Sequence, residues 1–311
     1  MSISLSVIIP TYNGERFLAS ALESVAAQDN GHIDLVIVDD GSSDGSLNLI
    51  RHFANRLPMR LLTPGRIGNW VAISNLGLRH ASGDWACFLH QDDLWLPGRI
   101  ARLWPEMETA EGPLILHNSR FIGPDGRGHG AWTCPLNDGA VPPHLFIEHL
   151  LVQNFIAIPS PVFRRTVVLE SGGLDEALWF SADWDLWLRL GALGPVRFLP
   201  EILSAFRIHP ASQTAARPVL SGEWEAQLTT VLTRHMASWP VAGKLRTSVE
   251  RAAAVSIAVN SALSAASRGE PAKPGAALIQ LLALGPAGWK RYLRDSRILQ
   301  RVRSRIEVQY A

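Results

Sequence analysis

Phe88-Leu89-His90-Gln91-Asp92-Asp93-Leu94-Trp95-Leu96-Pro97 is the stretch on which the fold turns. The apolar run Trp85 to Leu89 reads as a buried strand, and two adjacent carboxylates stand just past its C-terminal end. In open α/β sheets that edge is where ligands bind. Two neighbouring carboxylates repel unless a cation or a set of donors lies between them. A plainer reading is a polar turn, with Asp93 capping a helix that begins near Pro97. Taken alone, the stretch leaves both open.

Outward towards the N-terminus the same pattern repeats. Ile3 to Pro10 is apolar and β-branched, as a central parallel strand requires. Thr11 to Gly14 turns the chain, and Phe17, Leu18, Ala21, Leu22 and Val25 then recur at helical spacing. Ile33 to Val38 is a second strand that ends in Asp39-Asp40-Gly41-Ser42-Ser43-Asp44; Leu47, Ile50 and Phe53 stripe the next helix. Met59 to Leu62 is a third strand and Val71 to His80 a helix. Repeated strand, polar turn and helix describe a parallel sheet with right-handed crossovers. The turns at Thr11, Asp39 and His90 all follow strand C-termini, so they share one edge of the sheet. Neither the dinucleotide fingerprint G-x-G-x-x-G nor the P-loop follows the first strand. Acidic groups replace glycine amides there. Carboxylates cannot hold a diphosphate directly, so a divalent cation is implied.

Towards the C-terminus the spacing predicts a helix to about Ala110, a strand over Leu114 to His117 and a long loop over Gly123 to Pro143. Asn154 to Arg164 is expected to return to the sheet. Asp183 to Leu190 reads as a helix, and Val196 to Phe198 and Ile202 to Phe206 as short closing strands. From about Pro218 helical spacing dominates. Gly275 to Gly285 is apolar but far shorter than the ~20 residues of a membrane-spanning helix. Beyond it stand Lys290, Arg291, Arg294, Arg297, Arg301, Arg303 and Arg305 against Asp295 and Glu307. A solvated helix face is the first reading of that tail; a basic helix lying on an anionic membrane surface is the second.

A 311-residue chain that is 47% hydrophobic and 18% charged has ample material for a core. A formal net charge of +1 argues against nucleic acid as the main partner. Cys87 and Cys134 are too few for a disulfide framework, and nothing near Met1 resembles a secretory signal. The expected location is therefore cytoplasmic, or peripheral on the inner face of the cell membrane.

Five motifs, in order, resemble the family 2 glycosyltransferases of the GT-A fold: Val7-Ile8-Ile9-Pro10-Thr11-Tyr12-Asn13, Val38 to Asp44, Leu89 to Trp95, Ser181 to Arg189, and Phe206-Arg207-Ile208-His209-Pro210. The resemblance covers about residues 3 to 214. It implies a Rossmann-like, mostly parallel α/β sheet flanked by helices over 1–214, with a helical C-terminal region over 215–311 for acceptor, membrane-surface or oligomer contacts. It implies inverting transfer of a sugar from a nucleotide-diphosphate sugar to an acceptor hydroxyl, with Mg²⁺ or Mn²⁺. The acceptor would be a glycan or lipid-linked glycan in surface polysaccharide or glycolipid assembly. By position, Pro10, Thr11, Tyr12, Asn13, Asp39, Asp40, Arg66 and Asp92 would hold the nucleotide. Asp92, Asp93 and His209 would serve the metal, and Asp183 would be the catalytic base.

Two positions depart from the family pattern. His90 stands where Asp is usual; it is expected to be a strand-end histidine bonded to backbone, with metal contact left to Asp92 or Asp93. Ala182 replaces the usual Glu beside the base, which removes a neighbouring charge that would raise the pKa of Asp183. Asp185 is the alternative base, although two residues along a helix it points elsewhere. Trp187 and Asn75 are expected to be structural, while Trp179 and Trp184 crowd the same region. A nucleotidyltransferase would need a basic, glycine-rich turn after the first strand, and Pro10 to Glu15 has none. A catalytically inactive binding or scaffold protein with the same fold is the other alternative, supported by His90 and Ala182 alone.

Overall fold

Alternation along the first strand puts helices on both faces of the sheet. In β1 (Leu5–Thr11), Val7 and Ile9 point to one side, where α1 (Glu15–Ala26), α2 (Ser46–Phe53) and α4 (Arg99–Thr109) cover them. Ile8 points to the other, where α3 (Trp70–His80), α5 (Pro143–Leu150), the short α6 (Arg165–Glu170) and α7 (Ala182–Leu193) pack. The computed structural model describes residues 3–28, 33–212, 222–267 and 274–309. The apolar stripe of α1, from Phe17 to Val25, is buried as its spacing predicts. Leu22, fully buried, gains about 1.5–3 kcal/mol from leaving water. Gly77 lets α3 approach β1 closely: a Cβ there would lie 2.5 Å from Ile8 Cγ2.

The remaining strands are β2 (Ile33–Asp39), β3 (Met59–Leu62), β4 (Trp85–Phe88), β5 (Leu94–Trp95), β6 (Leu114–Ile122), β7 (Gly128–Trp132), β8 (Gly139–Val141), β9 (Val162–Arg164) and β10 (Val196–Arg207). They form one sheet in the order β3-β2-β1-β4-β9-β6-β10-β5, with β7 on β6 and β8 on β10. The first four are parallel, as expected, and β6 runs parallel to β10. β9, the only strand of 154–164, is antiparallel to both β4 and β6, so the sheet is mixed at its centre.

Two expectations are corrected. The loop over Gly123 to Pro143 contains β7 and β8, whose few glycine-rich residues carry no usable alternation. The two short closing strands are one strand, β10, whose register shifts between Leu199 and Ser204. Pro200 lies in that irregular stretch, and its missing N–H explains the break in the sequence pattern.

The boundary expected at 214/215 lies outside the described residues. Beyond it come α8 (Glu223–Ser238), α9 (Gly243–Ser267), α10 (Pro274–Leu282), α11 (Gly285–Ser296) and α12 (Ile298–Gln309). Leu228, Val231, Val249, Ala252 and Val255 belong to the same hydrophobic cluster as Phe146 and Trp187, so these helices share the core of the sheet. Among the described residues, no helix is long and apolar enough to cross a membrane.

Candidate active site

β2, β1 and β4 end side by side, and their polar turns lock together. Asn13, in the left-handed region at φ 46°, a conformation that Asn tolerates, accepts from the Ser43 amide at 2.8 Å. Its own amide donates to Ser42 Oγ at 2.9 Å. Gln91 clamps the first turn to the third: Tyr12 N donates to its Oε1 at 2.8 Å, and its Nε2 donates to the Tyr12 carbonyl at 3.1 Å. Asp40, buried, accepts from Arg66, from the Ile67 amide at 2.5 Å and from the Gly68 amide at 2.9 Å. The Arg66 guanidinium also lies over the Tyr12 ring, 3.6 Å from its centre. Asp40 and Arg66 are thus bound to each other, and Asp40 directs its oxygens to the 66–68 loop. Asp39 accepts from the Ser42 amide through Oδ1, while its Oδ2 is buried with no partner among the described residues.

Asp93 does not cap a helix, because α4 begins at Arg99 after Gly98. Its Oδ1 accepts from the Arg207 amide at 2.9 Å, and its Oδ2 is buried without a partner among the described residues. Arg207 Nε donates to the Asp92 carbonyl at 2.8 Å, so β10 pins this turn twice. His90 departs from expectation: among the described residues its ring bonds to no backbone atom, and its buried Nε2 has no partner. One ligand atom each from His90, Asp92 and Asp93 lie within 4.8 Å of one another. His209, expected as a ligand, stands behind that group, its Nε2 2.9 Å from Asp92 Oδ2. The neighbouring carboxylates titrate in opposite directions. Burial pushes Asp92 up, but the His209 hydrogen bond and the nearby histidines outweigh it and hold the group below the ordinary range. Burial, and then the charge of Asp92, push Asp93 well above it. Burial lowers the His90 pKa, so its imidazole is neutral and available as a ligand.

Trp70 connects this edge to α7. Its ring meets His90 edge-on at 5.1 Å, and its Nε1 donates to the Trp179 carbonyl at 2.5 Å. Asp183 opens α7, where Asn154 Nδ2 donates to its Oδ2 at 2.8 Å. Burial raises the Asp183 pKa to about 6, against the Trp184 amide and Asn154, which lower it. The absent glutamate at 182 is therefore not needed for the elevation. Asp185 lies elsewhere, paired with Arg189, Arg234 and His235 and held at about 2: burial opposes these partners and loses. Trp187 is fully buried, Trp184 Nε1 donates to the Leu150 carbonyl, and Asn75 fastens Leu174 through both ends of its amide.

Gln91, Trp70 and Asn154 had not been singled out from sequence. Gln91 lies inside the decisive stretch and could have been read from it; Trp70 and Asn154 carry no local signal.

The fold and the sequence match known proteins. In solved structures the fold recurs in Staphylococcus aureus TarS in complex with UDP-GlcNAc, with a TM-score of 0.67 and 17% identity over 81% of this chain and 72% of that one. It recurs in the mannosyltransferase PcManGT of Pyrobaculum calidifontis, in complex with GDP-Man and Mn²⁺, with a TM-score of 0.56 and 17% identity over 100% and 88%. The architecture is that of the GT-A glycosyltransferases. The family model for glycosyl transferase family 2 matches residues 6–131. An uncharacterised Mycobacterium tuberculosis protein is 30% identical over 221 residues, 68% of this chain and 69% of that one. An uncharacterised glycosyltransferase of Nostoc sp. is 29% identical over 231 residues, 72% and 71%. The chain belongs to glycosyltransferase family 2.

Proposed function

We propose that the protein transfers a sugar from a nucleotide-diphosphate sugar to an acceptor hydroxyl with inversion. The acceptor oxygen bonds to the anomeric carbon as the bond from that carbon to the diphosphate breaks. Asp183 takes the hydroxyl proton, and the nucleoside diphosphate leaves with the bonding pair. What carries this reading is a carboxyl raised to about 6, held by Asn154 and connected through Trp179 and Trp70 to the strand-end turns. A base poised near working pH combines the right protonation state with enough driving force.

The nucleotide would lie on Pro10, Thr11, Tyr12 and Asn13, with Asp39, Asp40, Arg66 and Asp92 around it. Buried atoms without a partner among the described residues support that placement: Thr11 Oγ1, Asp39 Oδ2, His90 Nε2, Asp93 Oδ2, Ser181 Oγ and His209 Nδ1. Each costs about 1–3 kcal/mol if left unmet, so such a group favours a ligand. His90, Asp92 and Asp93 fit a divalent cation, and His209 would orient Asp92 from behind. Imidazole suits Mn²⁺ better than Mg²⁺. Such a cation would neutralise the leaving diphosphate. The acceptor is a glycan or lipid-linked glycan of surface polysaccharide or glycolipid assembly, handled at the cytoplasmic side of the membrane.

A thermal-shift panel of UDP, GDP, dTDP, CDP and ADP, each with and without Mn²⁺, tests the reading. One diphosphate should raise the melting temperature, and only with metal. No shift from any of them would favour the scaffold alternative.

A further inference from the structure

α10 and α11 turn an apolar face outward. Leu278, Ile279 and Leu282 are 54%, 69% and 61% exposed, while Ala277 of the same helix is buried. Trp289 and Leu293 of α11, also exposed, extend the face, and Trp289 Nε1 donates to the Leu281 carbonyl at 2.7 Å, joining the two helices. Single exposed leucines are ordinary, but a contiguous group of this kind marks an interaction surface.

Charge identifies what covers it. From Gly275 to Ile306 the one acidic residue is Asp295, which is fully buried and held by His149 and Arg294. Several of the arginines expected to form a basic tail point inward instead: Arg291 pairs with Glu148, Arg297 donates to the Cys134 carbonyl and Arg301 to Asn260. On the outer side of α11, exposed Lys290 stands beside Trp289 and Leu293, while Arg294, also exposed, is engaged with Asp295. A second copy of this chain would cover the leucines but would bring like charges together. An anionic lipid surface supplies acyl chains for the leucines, an interface for the tryptophan and negative headgroups for the cations.

We propose that Leu278, Ile279 and Leu282 of α10, with Trp289, Lys290 and Leu293 of α11, seat the protein on an anionic lipid surface. α10 has nine residues, so it lies in the interface and does not span the bilayer. Both helices pack on α9. From α9, Ser256 and Asn260 bond to Gln153, the neighbour of Asn154 that holds Asp183. The lipid-facing helices are thereby fixed to the half of the molecule that carries the candidate base.

Flotation of the full chain with phosphatidylcholine–phosphatidylglycerol vesicles, and with phosphatidylcholine alone, tests this. The protein should float with the anionic vesicles only, and less as salt rises. Leu278→Ser, Ile279→Ser and Leu282→Ser together should lower partitioning about tenfold or more. Lys290→Gln should lower it about fivefold. Ile279→Ser alone gives the same direction if the triple variant fails to fold. Absence of flotation overturns the proposal, as does undiminished flotation of a folded serine variant. A concentration-dependent dimer in light scattering, lost in the serine variant and without flotation, would assign the face to a second copy and also overturn it. Flotation needs neither donor nor turnover, so its failure would leave the transferase reading standing.

Discussion

Asp40 and Asp183 mark two halves of one site that are built on opposite principles. Asp40 lies on the strand-end half and receives Arg66 and two backbone amides, so its charge is fully met inside the protein. Asp183 has one side-chain donor, Asn154, and an enclosing environment that raises its pKa to about 6. The first arrangement makes a rigid platform. The second keeps a carboxylate under-solvated, and therefore basic. A carboxylate that shapes a loop, as Asp40 does, has its charge settled within the protein; one that takes a proton needs its charge left unsettled.

The largest effect that could break this contrast is on turnover. Asp183→Asn should reduce transfer by about a thousandfold or more, since it removes the proton acceptor. Nucleoside diphosphate affinity should stay close to wild type, because the nucleotide would rest on the other half. Ordinary turnover by Asp183→Asn would remove the residue from its role. Equal loss of binding would show that the halves are not separate.

Next in size is the cation. Asp93→Ala should weaken diphosphate binding about 10–100-fold in titration calorimetry with Mn²⁺, and leave binding without metal unchanged. His90→Ala should weaken it in the same direction by less. A metal-independent wild type would sink both. His90 also shows where reading a sequence meets its limit. Its place in the motif was visible, but its role depends on the Trp70 ring that meets it edge-on and on a buried Nε2 with no partner among the described residues. No residue-type pattern encodes these.

The strand-end half was legible for a related reason. Its side chains lie within a few residues of apolar, β-branched strands, and parallel order alone brings β1, β2 and β4 together. The other half is assembled over a longer distance, with Asn154 reaching Asp183 across 29 residues, and within the strand-end half the hold of Arg207 on Asp93, across 114 residues, was equally hidden. β10 illustrates the same limit, because Pro200 hid the continuity of a strand that neighbours on both sides maintain. Local chemistry could be read from the residues, whereas contacts made by tertiary packing could not.

Stability offers a finer test of the contrast. A carboxyl whose folded pKa is raised binds its proton more tightly folded than unfolded. Its contribution is fully present below the unfolded value, near 4, and is lost as pH rises through about 6. Asp183→Asn never ionises, so it should stabilise the protein by about 1–2 kcal/mol at pH 8 and not at pH 4. Asp40→Asn should lower stability at pH 8, because Arg66 and two amides lose a charged acceptor. Melting temperatures of both variants at the two pH values would show opposite signs if the halves differ as argued.

The smallest effect concerns how Asp183 is positioned. Asn154 donates to the ionised carboxylate through Nδ2, while its Oδ1 accepts from the Ile156 amide at 3.1 Å, which fixes its orientation. A donor of this kind favours the charged form, so Asn154→Ala should raise the pKa of Asp183 further. The acid limb of kcat/KM should move upward by roughly half a unit to one unit, with a smaller change on the alkaline side. A purely structural role for Asn154 would lower activity evenly at every pH and leave the limb in place. Gln153, held by Ser256 and Asn260, secures the backbone on which Asn154 stands, so Ser256→Ala should shift the same limb by less. If Ser256→Ala shifts the limb while Asn154→Ala does not, α9 reaches the base by another route, and the division of the site must be redrawn around it.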